Sequence, residues 1–451
     1  MPDRLDDLRA ALRRSGVTTA AGLRVALGVS QPTLSRLLAG LQSSLVRFGR
    51  TRRARYALAR SVRGLPTALP LYRIRPDGRG ERAGVLRALE PEGFALAGRP
   101  DDFWPLPGEM AEGRFEGLPY FLFDARPQGF LGRALAKRRA PELNVPDDPS
   151  RWSDDDIVLV LVLAGEDLPG DLVLGEPAYE RLLRRMSQPK VGLADADLAQ
   201  AYPRLAREAL EEGVATSSAG GEFPKFTATR SLPDGPREVI VKFAAEGRWS
   251  DLLVAESVAA ATLSAHLDRA APCRIHRFDG RTYLEVERFD RAGAWGRAPA
   301  CTLAAVDPAL LGLGDARWDR AARALADDGF VGDAARDRIL ERWCFGNLIA
   351  NSDMHAGNLA FHPVAGRLAL TPSYDMLPMR YAPGRGDELP APAFDPMLPL
   401  PGLEHAWRAA ASAAVGFWED CGRHELISAG FRETSRRNAE RVAALRERVG
   451  R

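Results

Sequence analysis

The chain has 451 residues, 45% of them hydrophobic and 27% charged, enough for two or three domains around a large core that needs no covalent staples. Four widely spaced cysteines, Cys273, Cys301, Cys344 and Cys421, argue against a zinc site or a disulfide framework and lead us to expect a reducing, cytoplasmic setting. The charged N-terminus does not read as a signal peptide, and no apolar run of about 18 residues is long enough for a membrane span.

The formal net charge is only +2, but residues 1–60 carry 12 arginines against Asp3, Asp6 and Asp7. That local charge of +9 on an otherwise acidic chain predicts a nucleic-acid-facing module. Residues 1–63 read as a winged helix-turn-helix. Leu5, Leu8, Ala11 and Leu12 repeat at helical spacing. Thr19 is placed to cap a helix ending at Leu27, Gly28 to turn the chain, and Ser30 to cap the next helix with Pro32 in its first turn. Val29, Leu34, Leu37 and Leu38 would face inward. Gln31, Thr33 and Arg36 would face outward and read base edges of double-stranded DNA. Residues 44–60 alternate like two short strands about Gly49. Of the wing arginines, Arg50, Arg52 and Arg53 are expected on phosphates, with Arg47 and Arg55 adding positive charge. The bland alternative is a basic protein-interaction domain.

Residues 64–200 read as a mixed sheet region without recognisable chemistry of its own. A hairpin is predicted at Asp77-Gly78. The pattern Gly78-x-Gly80-x-x-Ala83 matches a loose dinucleotide fingerprint, but the turn signal favours the hairpin. The run 157–165, IVLVLVLAG, is expected to be a buried strand. From about residue 300 the chain is expected to be mostly helical.

Only four of 62 basic residues are lysine: Lys137, Lys190, Lys225 and Lys242. Two of them flank the chemistry. The segment 216–230, TSSAGGEFPKFTATR, reads as a serine- and glycine-rich turn between extended segments, suited to present N–H groups to phosphate oxygens. Lys242 sits in the apolar strand 237–244, where an unpaired ammonium would be costly. A helix over 249–267, capped by Ser250, carries Glu256. Strand lysine and helix glutamate form the pair with which protein kinases hold nucleotide phosphates. Downstream lie Asn351-x-Asp353-x-His355-x-x-Asn358 and, after an apolar strand, Asp375. One carboxylate to orient a hydroxyl and two further oxygen donors for magnesium are the parts that phosphoryl transfer needs.

Four segments, Ser218 to Lys225, VERFDR at Val286 to Arg291, NSDMHAGN and TPSYDMLP, together resemble the HipA family of toxin kinases, from about residue 70 to the C-terminus. The fused helix-turn-helix resembles the YjjJ-type subgroup. The resemblance implies an α+β, bilobal, protein-kinase-like fold, with a mixed N-lobe over 64–285 and a helical C-lobe over 286–451. It implies an ATP- and Mg2+-dependent kinase acting on serine or threonine of proteins, with Asp353 as catalytic aspartate and Asn358 and Asp375 holding the metal. ATP contacts are implied for Ser218, Gly220, Gly221, Lys225 and Lys242 with its partner Glu256, and for the adenine hinge Glu287, Arg288 and Phe289. His355 lies beside the nucleotide as a loop-shaping residue. Ser218, or its neighbour Ser217, is the implied autophosphorylation site. The protein substrate is open, with the translation machinery one candidate, and an antitoxin is a candidate partner. Many such kinases lack a helix-turn-helix and rely on a separate antitoxin to bind DNA; here part of that function is built in. Two other readings stay open: a DNA-binding regulator whose kinase-like body senses nucleotide, and a small-molecule kinase.

Overall fold

Short polar caps punctuate the arginine-rich start of the chain, and they set its first elements: α1 (Pro2–Ser15), β1 (Thr18–Thr19), α2 (Ala20–Leu27), α3 (Gln31–Leu41), β2 (Leu45–Phe48) and β3 (Arg55–Arg60). The structure, a computed structural model, describes residues 2–41, 44–50, 53–100, 102–212, 222–315, 317–384 and 394–450. Thr19 Oγ1 accepts the Gly22 N–H at 3.1 Å, Gly28 takes the left-handed conformation after α2, and Ser30 Oγ accepts the Thr33 N–H at 3.4 Å. Leu8, Leu12, Leu23, Leu34, Leu38 and Leu58 close a small core of their own. Gln31, Arg36, Arg50 and Arg53 are exposed, and Thr33 is half-buried. Arg52 lies outside the described residues.

The wing is not a separate hairpin. β3 continues into the next sheet by pairing Ala59 with Leu89 and Arg60 with Ala88. That region contains β4 (Leu69–Ile74), β5 (Gly80–Leu89), β6 (Phe94–Ala97), β7 (Arg114–Phe115), α4 (Gly129–Leu143), α5 (Asp154–Ala164), β8 (Leu172–Leu174), α6 (Glu176–Met186) and α7 (Leu198–Glu212). The sheet runs β1-β3-β5-β4-β8, with β2 beside β3 and β6 between β5 and β7. β4 and β5 form the hairpin predicted at Asp77-Gly78, whose turn is tied by the Arg79 N–H on Asp77 Oδ1 at 2.9 Å. The expected strand at 157–165 is instead the helix α5. Ser153 and Asp156 close a reciprocal capping box, and Asp154, Asp155 and Asp156 complement the helix N-terminus. Ile157 to Val162 are all buried, so no polar stripe marks the helical period, and an unbroken apolar run does not distinguish strand from helix.

The second sheet holds β9 (Lys225–Leu232), β10 (Gly235–Ala245), β11 (Cys273–Phe278) and β12 (Arg281–Glu287), with α8 (Arg248–His266) between β10 and β11. Its order is β11-β12-β10-β9, antiparallel throughout. Alternation puts Val239, Val241 and Phe243 against Leu198, Tyr202 and Ala206 of α7 and leaves Ile240 and Lys242 for the other face. Two expectations change here. The helix begins at Arg248 after Gly247, and Ser250 is not its cap; the buried Ser250 hydroxyl bonds Thr282 Oγ1 at 2.6 Å. The segment 213–221 follows a helix, α7, rather than a strand. Ser217, Ser218, Gly220 and Gly221 lie outside the described residues.

Beyond come β13 (Arg291–Ala292), β14 (Gly296–Arg297), β15 (Cys301–Thr302), α9 (Leu303–Val306), α10 (Trp318–Asp327), α11 (Asp333–Leu348), β16 (Ala360–Val364), β17 (Arg367–Leu370), α12 (Glu404–Arg423) and α13 (Ala429–Gly450). This half is mostly helical, as expected. Its core is anchored by Phe345, Trp407, Phe417 and Trp418, all fully buried. The Asn351–Asn358 loop joins α11 to β16, and Asp375 follows β17. Cys273, Cys301, Cys344 and Cys421 are free thiols. Among the described residues no helix is long and apolar enough to cross a membrane.

Candidate active site

Lys242 reaches from β10 across to α8. Its Nζ lies 2.6 and 2.8 Å from the two Glu256 carboxylate oxygens, and it also donates to Asp375 Oδ1. Lys242 and Glu256 are buried. Burial alone would neutralise the lysine, but the Asp375 and Glu256 carboxylates hold its pKa above the ordinary value. Burial pushes the Glu256 pKa up. Asp375 is only half-buried, and its desolvation is outweighed by the Lys242 and Lys225 ammoniums, which hold it below the usual range. Asp375 has φ 53°, a left-handed backbone that aspartate tolerates better than most residues. That turn swings its carboxylate back to the strand lysine.

The Asn351–Asn358 loop is tied to itself. Asn351 Oδ1 accepts the Asp353 N–H at 3.0 Å, and Asn358 Nδ2 donates to the Asp353 carbonyl at 2.9 Å. His355 Nδ1 accepts the Gly357 N–H at 3.0 Å, and its carbonyl accepts from Trp318 Nε1 at 3.2 Å. Tyr374 OH donates to the Gly357 carbonyl at 2.6 Å, which joins this loop to the residue before Asp375. Asp353 is an exposed residue, yet partial desolvation and the nearby Asp375 and Glu222 carboxylates push its pKa up against the pull of His355 and Lys242.

A cleft of about 920 Å³ opens beside these groups. Lys225, Lys242, Glu287, Arg288, Phe289 and Asp375 line it; Glu256, Asp353, His355 and Asn358 do not form its wall. Glu256 stands behind Lys242. The Phe289 and Tyr374 rings lie 5.4 Å apart on the cleft wall. The Arg288 side chain turns to Asp290, with bonds of 2.9 and 2.8 Å.

The region read as lacking chemistry supplies the facing wall. Phe130, Leu131 and Leu135 of α4 line the cleft, as does Asp124 just before α4. Asp124 is buried, which pushes its pKa up, and it accepts from Thr302 N at 2.5 Å and Thr302 Oγ1 at 2.8 Å. Glu222 ties α4 to the start of β9. It accepts from the Phe130 N–H at 2.9 Å and Arg133 Nη2 at 2.9 Å, and pairs with Lys225 at 3.0 Å. Sequence reasoning missed Asp124 and Glu222, since neither lies at a spacing that marks chemistry. Asp290 was visible only as a letter of VERFDR.

The donors suit magnesium. The amide contact of Asn358 leaves its Oδ1 as an oxygen donor, and Asp375 adds a carboxylate. Among the described residues no three His, Cys, Asp or Glu side chains gather around one metal position. A two-oxygen protein set completed by phosphate oxygens and water is how magnesium is usually taken up with a nucleotide.

Residues 65–183 match the family model of the YjjJ-like toxin middle domain, and residues 217–444 that of the HipA-like C-terminal domain. Toxin YjjJ of Escherichia coli strain K12 is 37% identical over 445 residues, covering 97% of both chains. Among solved structures, the Shewanella oneidensis MR-1 toxin–antitoxin complex of HipA, HipB and operator DNA contains a chain that aligns with TM-score 0.53 and 16% identity, covering 84% of this chain and 97% of that one. The fold is thus the α+β, bilobal, kinase-like fold of HipA, and the chain belongs to the HipA-like toxin family, in its YjjJ branch.

Proposed function

We propose that this chain is an ATP- and Mg2+-dependent protein serine/threonine kinase with a DNA-binding module at its N-terminus. The observation that carries the reading is the Lys242–Glu256–Asp375 contact at the wall of the cleft. A buried lysine kept charged by two carboxylates is ready to take phosphate oxygens, and Asp375 is ready to exchange it for a metal. Bound Mg-ATP would supply the phosphoryl group. Asn358 Oδ1 and Asp375 would hold the metal, Lys225 and Lys242 the phosphates, and Glu287 to Phe289 the adenine end. Asp353 orients the attacking serine or threonine hydroxyl and takes up its proton, a role that its raised pKa favours. His355 shapes the loop that presents Asp353. Arg288 acts through its backbone, since its guanidinium is engaged by Asp290.

By the same reading, Ser218 or Ser217 takes phosphate from the enzyme itself, and Gly220 and Gly221 would offer backbone N–H groups to the ATP phosphates. A dianion there would repel ATP and shut the site. Residues 1–63 act as a winged helix-turn-helix on double-stranded DNA, with Gln31, Thr33 and Arg36 on bases and Arg50, Arg52 and Arg53 on phosphates. The setting is cytoplasmic, the substrate is a protein, with the translation machinery one candidate, and an antitoxin is a candidate partner. The deciding experiment incubates the full chain with γ-labelled ATP and Mg2+, alone and with a cell lysate, followed by phosphosite mapping. Label on serine or threonine of proteins supports the reading. Label only in small molecules, or none at all, overturns it.

A further inference from the structure

The segment VERFDR does not end its work at the hinge. Asp290 is 7% exposed, and its carboxylate gathers four donors. Arg288 Nε reaches Oδ1 at 2.9 Å; Arg288 Nη2, Arg291 Nη1 and the Gly170 N–H reach Oδ2 at 2.8, 2.7 and 3.0 Å. Gly170 belongs to the loop between α5 and β8, far away in sequence. Arg291 grips the same loop through the Leu168 carbonyl at 2.9 Å and Asp167 Oδ1 at 3.2 Å. On the other side, the Arg288 N–H donates to the Glu238 carbonyl of β10 at 2.9 Å. One carboxylate therefore joins the hinge to a loop of the opposite half of the cleft. Both partners form its wall: Asp167, Leu168 and Pro169 on one side, Arg288 and Phe289 on the other.

Burial would push the Asp290 pKa up, but the Arg288 and Arg291 guanidiniums outweigh it and hold the carboxylate charged. Such a buried ion cluster gains little stability over well-packed apolar side chains, whereas removing its central charge is costly. What it provides is fixed geometry, because each bond is directional and the cluster is buried. A ligand held between two walls is sensitive to their spacing.

We propose that Asp290 is a positioning residue for the nucleotide: it locks the hinge backbone 287–289 against the 167–170 loop and so sets the width of the adenine end of the cleft. The proposal rests on the kinase reading given above.

The test compares ATP with Mg-tripolyphosphate, a probe that has phosphates but no adenosine, on the full chain and on Asp290→Asn. The expected result is a rise of about tenfold in KM and Kd for ATP with kcat within about twofold, and an unchanged tripolyphosphate inhibition constant. Gly170→Ala approaches the same lock from the other wall, because Gly170 sits at φ +83°, where a side chain is strained. It is expected to move the same constants in the same direction, and it carries the test if Asp290→Asn does not fold. Unchanged ATP affinity in a folded variant, or equal weakening of both ligands, overturns the proposal while leaving the kinase reading intact. Failure of the unsubstituted chain to bind ATP overturns both.

Discussion

Lys242 is the residue on which sequence and geometry meet. A lysine in an apolar strand had to find an anion, and Glu256 of the following helix α8 is the one it meets. The third member, Asp375, lies 133 residues away and arrives through a positive φ, which no spacing rule reveals. Lys242→Ala would leave the buried Glu256 beside Asp375 without the ammonium that bonds both carboxylates. We expect this to cost about 3–5 kcal/mol of stability and to abolish measurable Mg-ATP binding by calorimetry; wild-type affinity in the folded variant would sink the assignment. Asp353→Asn should behave differently. Asp353 does not line the cleft wall, so on the kinase reading kcat should fall by about 10²–10⁴-fold while Mg-ATP affinity is kept. A variant that turns over normally would remove Asp353 from the chemistry. The spacing of Asp353, His355 and Asn358 was legible as a motif, but the bonds that tie their loop to Tyr374 and Trp318 were not, because those partners come from separate segments.

At the scale of elements, the second sheet carries its own acid sensitivity. Glu285 of β12 is 1% exposed under α7. It accepts from Tyr202 OH at 2.6 Å, contacts His276 Nε2 at 3.2 Å and pairs with Arg230, with Arg274 at 3.4 Å. Burial would raise its pKa, but bonds from His276 and Tyr202 and the charge of Arg230 bring it down from 4.5 to about 2. The folded carboxyl is the stronger acid, so the unfolded chain binds the extra proton in acid. The stabilisation, about 3 kcal/mol at neutral pH, is complete above pH 4.5 and is lost as pH falls towards 2. In denaturant titrations Glu285→Gln is therefore expected to be less stable at pH 7 and to lose less between pH 4.5 and 2; an unchanged acid slope would contradict this. Element types were legible wherever period or caps were explicit, as for α2, α3, the β4–β5 hairpin and β10. They were misread where burial erased the period, as in α5, or where a plausible cap, Ser250, was needed elsewhere to bond Thr282.

For the molecule as a whole, a charge of +9 in residues 1–60 does not equal nine cations free for DNA. Arg55 is taken by Glu109 and Glu112. Arg60 makes a bidentate bond to Asp155 at 2.6 and 2.7 Å, next to Arg63 on Asp156. These arginines fasten the wing to the body, along with the β3–β5 ladder that crosses the compositional boundary near residue 63. Composition could not separate the two groups, because the acids that claim the body-facing arginines lie roughly 50 to 100 residues downstream. Arg36, Arg50 and Arg53 remain exposed. The duplex affinity of the full chain, measured against salt, should therefore respond unevenly. Arg53→Ala should weaken all duplexes alike and reduce the salt slope by about one unit. Arg55→Ala should leave the slope unchanged, because its charge is already neutralised by two glutamates. Gln31→Ala and Arg36→Ala should instead narrow the gap between preferred and random duplexes, as loss of base contacts does. Equal slope changes for Arg53 and Arg55 would mean that the wing detaches from the body on DNA. Absence of duplex binding at low salt, where counterion release favours it most, would end the DNA-binding reading of residues 1–63.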